Sequence, residues 1–239
     1  NNTTAGANTA VGRNSLRDNT TGSDNTAVGE SSLRENETGC CNSVLGENAM
    51  TLNTSGCYNT SIGSFSLHNN TAVGYQALKL NTTGAQNTAV GLDALRDTTT
   101  GCRNTAMGYN SLVLNTTGIC NVSIGRSTLD ANTTGDFNTA VGNSALSGNT
   151  TADNNTAVGH LSLNANTTGT QNVAVGNESL GSNTEGNYNV AIGRLALYEN
   201  TTASNNIAIG LSALEKNTTG HDNVAVGCGA LFKNTTAPD

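Results

Sequence analysis

Residues Asn8-Thr9-Ala10-Val11-Gly12 read N-T-A-V-G, and this pentapeptide recurs with small variations along the whole chain. Successive copies begin 17 residues apart, except for one that begins after 11 residues, at Asn70. The consensus unit is N-T-A-V-G-x-x-A/S-L-x-x-N-T-T-G-x-x. A fixed short period of this kind is typical of a solenoid or a fibre array. The 14 units begin at residues 8, 25, 42, 59, 70, 87, 104, 121, 138, 155, 172, 189, 206 and 223.

The composition agrees with a repeat array and excludes several kinds of partner. We treat residues 1–239 as one array, with a short unit at 59–69. The net charge is −7 and the ten Lys and Arg are scattered, whereas nucleic acid and anionic lipid require a basic stripe. No apolar run of about 18 residues is present, so no membrane span is expected. Because the chain begins with Asn1 and in the middle of a unit, we expect a piece of a longer chain.

The repeat favours strands over helices. Asn, Thr, Val and Gly in succession are poor helix formers, and the fifth position of all 14 units is Gly. Short strands bounded by Gly and Asn turns fit this pattern. The sequence therefore predicts an all-β fold, a parallel β-solenoid or β-roll of 14 short coils. Position one is always Asn, and position nine is Leu in every unit but one, where it is Met50.

The substitutions at each position predict which way its side chain faces. Position two is Thr or Ser in most units but Val or Ile in five, which indicates a β-branched and partly buried site. Alternation in a strand places positions two and four on one face, and we expect position four to fill a thin core with the Leu of position nine. Position three then faces outward. Its restriction to Ala, Ser and Val predicts close packing there, against a sister chain for example.

Four residue types are expected to hold the coils together. Position-one asparagines should stack along the axis as a ladder. The glycines of positions five and fifteen should be corners with positive φ, the second corner being less strict because it admits Ala152 and Ala203. The residues expected to carry the fold are Asn8, Val11, Gly12 and Leu16, and their equivalents Asn87, Val90, Gly91 and Leu95.

The short unit identifies the dispensable part of the repeat. Residues 59–69 lack the segment N-T-T-G-x-x, and the next unit follows directly. We expect the array to resume in register there, so that this hexapeptide is a lateral loop or a dispensable wall.

The repeats resemble those of a known class of fibres. The segments N-T-A-V-G-Y-Q-A-L at 70–78 and N-T-T-G at 81–84 resemble repeats of tail-fibre and surface-fibre proteins of phages and bacteria. The segment N-V-A-I-G at 189–193 is similar to the head repeats of trimeric autotransporter adhesins. The resemblance implies a trimeric fibre of β-rolls, located outside the cell, on its surface or on a virion, and used for attachment. The 17-residue period departs from the resemblance, because it is longer than the period of the adhesin heads.

Twelve N-T-T-type segments are candidate N-glycosylation sequons, N-x-S/T. If the hexapeptide is an exposed edge, a regular row of glycans would follow. The alternative is that Asn and Thr simply build turns and ladders. The candidates are Asn2, Asn19, Asn36, Asn53, Asn81, Asn115, Asn132, Asn149, Asn166, Asn200, Asn217 and Asn234.

Rows of Thr also suggest an ice-binding function, which needs Thr at alternate positions on one outward strand face. Positions thirteen and fourteen are adjacent, so only one of them can face outward. Position two is expected to face inward. Ice binding is therefore the weaker hypothesis.

The six cysteines suggest staples between neighbouring coils. Cys40 and Cys57 share position sixteen, and Cys102 and Cys120 occupy positions sixteen and seventeen of neighbouring coils. Stacked coils bring such Cα atoms about 5 Å apart, within disulfide range. We therefore take Cys40–Cys57 and Cys102–Cys120 as candidate disulfides, and free thiols as the alternative.

Catalysis has no support in the fixed positions, which hold no Asp, Glu, His or Lys. The three His fall at different positions, so no metal site and no cofactor are expected. The expected function is the structural repeat shaft of an extracellular or virion fibre, acting as a spacer or in attachment. The alternative is a glycan-coated or carbohydrate- or cell-surface-binding adhesin module. The expected partner is the chain itself, as a trimer or an end-to-end filament, with a cell-surface glycan or receptor as a further candidate.

Overall fold

The computed structural model describes residues 5–63 and 70–236, and every strand in it has three residues. Each strand takes positions two to four of one repeat, and no helix occurs in these two ranges. The strands are β1 (Thr9–Val11), β2 (Thr26–Val28), β3 (Ser43–Leu45), β4 (Thr60–Ile62), β5 (Thr71–Val73), β6 (Thr88–Val90), β7 (Thr105–Met107), β8 (Val122–Ile124), β9 (Thr139–Val141), β10 (Thr156–Val158), β11 (Val173–Val175), β12 (Val190–Ile192), β13 (Ile207–Ile209) and β14 (Val224–Val226).

Within each of two compact units, the strands pair in parallel with their neighbours in the chain. The chain divides into two compact units, Asn1–Thr117 and Gly118–Asp239. In the first unit β1 to β7 follow one another in chain order, and in the second β8 to β14 do. Equivalent positions always face each other, as Thr88 faces Thr105. The predicted all-β parallel solenoid is confirmed, and each repeat contributes one strand.

The short unit leaves this register intact. β4 and β5 pair with Thr60 opposite Thr71, although these residues are only 11 positions apart. The backbone N–H of Asn70 donates to Asn59 Oδ1 at 3.0 Å, as it does between full units. The prediction that the array resumes in register is confirmed. Residues 64–69 lie outside the described residues.

The core is a column of Leu and Ala side chains. Leu95, at position nine, is fully buried, and so are its neighbours Ala94 and Ala89 at positions eight and three. Leu16 is half-buried and packs against a cluster that includes Ala27 and Leu33. The interior of each coil thus holds one large side chain and two small ones. Position three is restricted to small residues because the Leu of position nine fills the space that a larger residue would need.

The predicted direction of the strand side chains is therefore wrong. Position three faces inward, and positions two and four face outward. Val11 is 56% exposed, and Val90 is half-buried. The exchange of Thr for Val at position two reflects the preference of strands for β-branched residues on either face, and is not a sign of burial. Likewise, the small residues of position three pack within their own coil and offer no surface to a sister chain.

The two glycine positions differ in backbone conformation, but both lie in close contact with the neighbouring coil. At position five φ is positive throughout, +130° at Gly12 and +136° at Gly91, as predicted for a corner. At position fifteen φ lies outside the positive range, so the second predicted positive-φ corner is wrong. The coils approach closely at both positions: a Cβ on Gly22 would lie 2.1 Å from the carbonyl oxygen of Gly39, and a Cβ on Gly12 would lie 2.4 Å from that of Gly29. Because the contacted oxygen belongs to the backbone, a Cβ at position fifteen requires the neighbouring coils to shift, and the chain accommodates this at Ala152 and Ala203.

Candidate functional site

Asparagine side chains at position one connect neighbouring coils. Asn87 is 1% exposed. Its backbone N–H donates to Asn70 Oδ1 at 2.7 Å, and its Nδ2 donates to the carbonyl of Gly101 at 2.9 Å. Asn8, which is half-buried, makes the same kind of bond, from Nδ2 to the carbonyl of Gly22 at 2.9 Å. These amides satisfy backbone groups that the thin coil would otherwise leave without partners.

A second asparagine ladder runs through position twelve. Asn36 Nδ2 donates to Asn19 Oδ1 of the preceding coil at 2.8 Å and to the carbonyl of Gly39 at 2.9 Å. Comparable bonds join Asn149 to Asn132 at 2.8 Å and Asn200 to Asn183 at 2.9 Å. The ladder bonds adjacent coils along the axis through an amide that has no access to solvent.

The sequon asparagines belong to this second ladder, so the expected exposed edge is wrong. A glycan on Nδ2 would replace a buried donor and would need space that the fold does not leave. Asn2 lies outside the described residues, and Asn234 is half-buried, with its Nδ2 donating to Asn223 Oδ1 at 3.1 Å. The fully buried members, each with 0% exposure, are Asn19, Asn36, Asn53, Asn81, Asn115, Asn132, Asn149, Asn166, Asn200 and Asn217.

The second ladder is interrupted around Asn81. The short unit before it lacks position twelve, and the next unit has Thr98 there, which is also buried. Neither Nδ2 nor Oδ1 of Asn81 has a hydrogen-bond partner among the described residues. Asn115 Nδ2 reaches Thr98 Oγ1 at 3.4 Å, a long bond. This place is therefore a weak point in the axial bonding of the first unit.

The threonines that follow the second ladder form two rows. One row is hydrogen-bonded to the next coil, and the other is exposed. Thr133, at position thirteen, donates from Oγ1 to the carbonyl of Thr150 in the next coil at 3.0 Å. Thr134, at position fourteen, is exposed. Only one of the two adjacent threonines thus presents its side chain to solvent.

Positions two and four together form an uncharged surface, which we call the outer strand face. In each compact unit it consists of the first and last residue of every strand, β1 to β7 in the first unit and β8 to β14 in the second. In β1 to β7 the first of these is Thr or Ser in every strand. In β11 to β14 both are Val or Ile. Exposure of these aliphatic side chains reaches 63% at Val224 and 67% at Val226.

All six cysteines are free thiols in the structure. Cys40 Sγ lies 2.8 Å from Cys57 Sγ, and half-buried Cys41 follows Cys40 in the chain. Cys102 belongs to the first unit and Cys120 to the second. The structure brings the sulfur atoms of the candidate pair Cys40–Cys57 together.

Three repeat positions have an unusual backbone conformation that the sequence analysis did not predict. They are positions seven, nine and seventeen. Their residues have positive φ although they are not glycine: +57° at Asp93, +51° at Leu95 and +62° at Gln86. A β-branched side chain is strongly disfavoured in this region. None of the three positions contains Val, Ile or Thr in any unit, and this absence is the signal that could have found them.

Charged side chains form pairs on the surface. Arg13 bonds Glu30 and Lys216 bonds Glu199, each one coil away. Such exposed pairs contribute little to stability. Among residues 5–63 and 70–236, no group of three or more His, Cys, Asp or Glu is arranged to hold a metal ion. A search of the same residues finds no helix of sufficient length and apolar character to cross a membrane.

Comparison with known proteins adds no family to this description. No protein-family model matches the chain, and no match is found among curated proteins.

Proposed function

We propose that the chain is a structural segment of the shaft of an extracellular or virion fibre, in which copies pack against one another through the outer strand face. The observation that carries this proposal is the outward direction of positions two and four. In a single chain these β-branched side chains remain partly in water, where they favour association. The hydrogen-bonded ladders supply the stiffness that a shaft requires.

The aliphatic part of the face is the strongest support. The strands β11 to β14 present two β-branched aliphatic side chains each, in register from strand to strand. Ile192 is 38% exposed and Ile209 is 36% exposed within the chain itself. Covering such side chains contributes roughly 25 cal/mol for each Å² removed from water.

The absence of charge makes a second copy the occupant we propose. No Asp, Glu, Lys or Arg stands at position two or position four in any of the 14 units. Two such faces can therefore meet without burying an unpaired charge, which would be costly. The same pattern in every unit also keeps two copies complementary along the array.

The outer strand face is small for a pairwise interface. Seven strands about 4.8 Å apart, each roughly 10 Å wide at the surface, give a face of roughly 300 Å² per unit. A stable pairwise interface buries about 800 Å² per partner. The trimer follows the resemblance of the repeats to trimeric fibres, and such cyclic closure is a common form of homo-oligomer.

Charge substitutions on the face test this proposal. We expect Ile192→Lys combined with Ile209→Lys to reduce the assembly to single chains in sedimentation, with an unchanged circular dichroism spectrum. The matched control is Thr202→Lys, an exposed change at position fourteen that should leave the assembly intact. A wild-type chain that sediments as a monomer, or a control that dissociates equally, would contradict the proposal.

Ice binding is a second candidate function. One structural observation supports it more strongly than the sequence does. Position two faces outward, and in β1 to β7 it carries a hydroxyl in every strand beside the aliphatic or Met side chain of position four. Such regular ranks, about 4.8 Å apart, can order water. An assay of ice recrystallisation tests it, with Thr88→Lys expected to abolish the effect. The same face cannot contact ice and a second copy at once. A wild-type chain that is inactive in this assay would exclude the ice-binding candidate.

A further inference from the structure

Three thiols lie together in two adjacent coils of the first unit. Cys40 and Cys57 occupy the same repeat position one coil apart, and Cys41 directly follows Cys40. All three side chains are half-buried, so small molecules in solution can reach them. Nothing in the proposed shaft function requires three thiols at this place.

The hydrogen bonds distinguish Cys57 from Cys40. Two donors of Cys40 converge on Cys57 Sγ: the backbone N–H at 3.0 Å and the thiol at 2.8 Å. Donors aimed at one sulfur stabilise its thiolate, which is the nucleophilic form of cysteine. At the other sulfur, the hydrogen bond to Cys57 raises the pKa of the Cys40 thiol to about 12, so Cys40 keeps its proton.

We propose that Cys57 and Cys40 form a thiol–disulfide exchange site, in which Cys57 attacks a small-molecule disulfide and Cys40 resolves the product. The inference is independent of the proposed shaft function, because it rests on contacts within one chain.

The exchange proceeds in two balanced steps. First, the Cys57 thiolate attacks one sulfur of an external disulfide R–S–S–R, forming a Cys57–S–S–R mixed disulfide and releasing one thiolate RS⁻. That thiolate takes the proton of Cys40. The Cys40 thiolate then attacks Cys57 Sγ, forming the Cys40–Cys57 bond and releasing the second RS⁻. Two protein thiols are oxidised, and one external disulfide is reduced to two thiols.

The geometry permits the final bond with little movement. Neighbouring coils are spaced about 4.8 Å apart, and disulfides span Cα separations of about 4.4–6.8 Å. The product is a covalent staple between adjacent coils, which adds to the hydrogen-bonded ladders. Cys41 remains a thiol beside the staple.

Oxidised glutathione, added to the full reduced chain, tests the order of attack. Two variants remove the competing thiols: Cys40→Ser with Cys41→Ser leaves Cys57, and Cys57→Ser with Cys41→Ser leaves Cys40. We expect the first to gain a glutathione adduct at Cys57 at least about 10-fold faster than the second gains one at Cys40, because only Cys57 receives two donors. Peptide mapping by mass spectrometry separates these sites from Cys102, Cys120 and Cys228. Equal or reversed rates would overturn the proposal.

The wild-type chain provides a second measurement that depends on no variant. Under limiting oxidised glutathione and rapid alkylation, the expected intermediate is an adduct at Cys57, followed by the Cys40–Cys57 disulfide with Cys41 alkylated. A first adduct at Cys40, or a final bond that includes Cys41 in place of Cys40, would equally overturn it.

Discussion

Leu95 shows how a single side chain sets the constraints on its neighbours. It is fully buried, and Ala89 and Ala94 pack into the space that it leaves. Its backbone has a φ of +51°, an unfavourable angle for leucine. The burial of the side chain must therefore outweigh a backbone penalty, so truncation should be costly.

We expect Leu95→Ala to destabilise the protein by about 2–5 kcal/mol, because it opens a cavity in the core. Chemical denaturation followed by circular dichroism measures this change. The matched control is Leu92→Ala, which removes a side chain that is 43% exposed and should cost much less. Equal effects of the two substitutions would contradict the placement of position nine in the core.

Thr98 is the residue at which the second asparagine ladder fails. Thr98→Asn restores the consensus, and the new amide can donate to Asn81 Oδ1 as Asn36 donates to Asn19. We expect a gain of about 1 kcal/mol, since a buried acceptor without a partner acquires one. Calorimetry should show a higher Tm, whereas the control Thr100→Asn changes an exposed residue and should have no clear effect. No gain from Thr98→Asn would mean that Asn81 is already satisfied.

Asp130 gives a pH dependence of known sign. Burial raises the pKa of its carboxyl group, against the opposing effect of the backbone N–H groups of Asp130 and Ala131. The folded state therefore holds the proton more tightly than the unfolded state, and Asp130 disfavours folding once the pH rises above its folded pKa. Asp130→Asn should raise Tm at pH 7 and have little effect near pH 3.

The control for this prediction is Asp222, where the sign is opposite. The hydrogen bond from His221 lowers the pKa of the Asp222 carboxyl, so ionisation there does not oppose folding. Asp222→Asn should not raise Tm at pH 7. An Asp130→Asn variant that is equally stabilised at pH 3 and pH 7 would show that the effect is not one of ionisation.

At the scale of the element, each coil is a three-residue strand between corners. The corner at position five combines positive φ with close contact: a Cβ on Gly91 would lie 2.4 Å from the Gly108 carbonyl oxygen. At Gly84, in position fifteen, the corresponding distance is 2.3 Å, but φ is not positive. The two corners thus differ in backbone conformation more than in crowding.

We therefore expect Gly91→Ala to destabilise the coil more than Gly84→Ala. Only the first substitution forces a side chain into a φ of +136°, a region that is nearly exclusive to glycine. Thermal unfolding of the two variants measures the difference. A larger loss of Tm in Gly84→Ala would indicate that close contact, and not φ, is what fixes glycine at position five.

The architecture of the coil was predictable from its sequence, but the inward or outward orientation of its strand side chains was not. The periodicity of Asn and Gly predicted short strands bounded by turns in each repeat. Alternation alone could not show which side chains face the core, because Thr, Val and Ile suit an outward strand face as well as an inward one. The deciding signal was the small size of position three, which we interpreted as an external contact and which reflects the narrow interior beside Leu95.

The burial of the sequon asparagines was also beyond reach from the sequence. An N-T-T segment is equally compatible with an exposed turn and with an internal ladder. What separates them is the axial bond from one Asn amide to the next, which depends on the stacking distance between coils. The single replacement by Thr98 carried no information about burial, because threonine occurs in both settings.

At the scale of the whole molecule, the central claim is that an uncharged β-branched face drives copies of this chain together. Native mass spectrometry of the full chain, over a dilution series, tests it most directly. We predict a particle of three times the 24.2 kDa chain mass that persists on dilution to micromolar concentration. A particle of one chain mass at every concentration would contradict the claim and leave the outer strand face without the role proposed here.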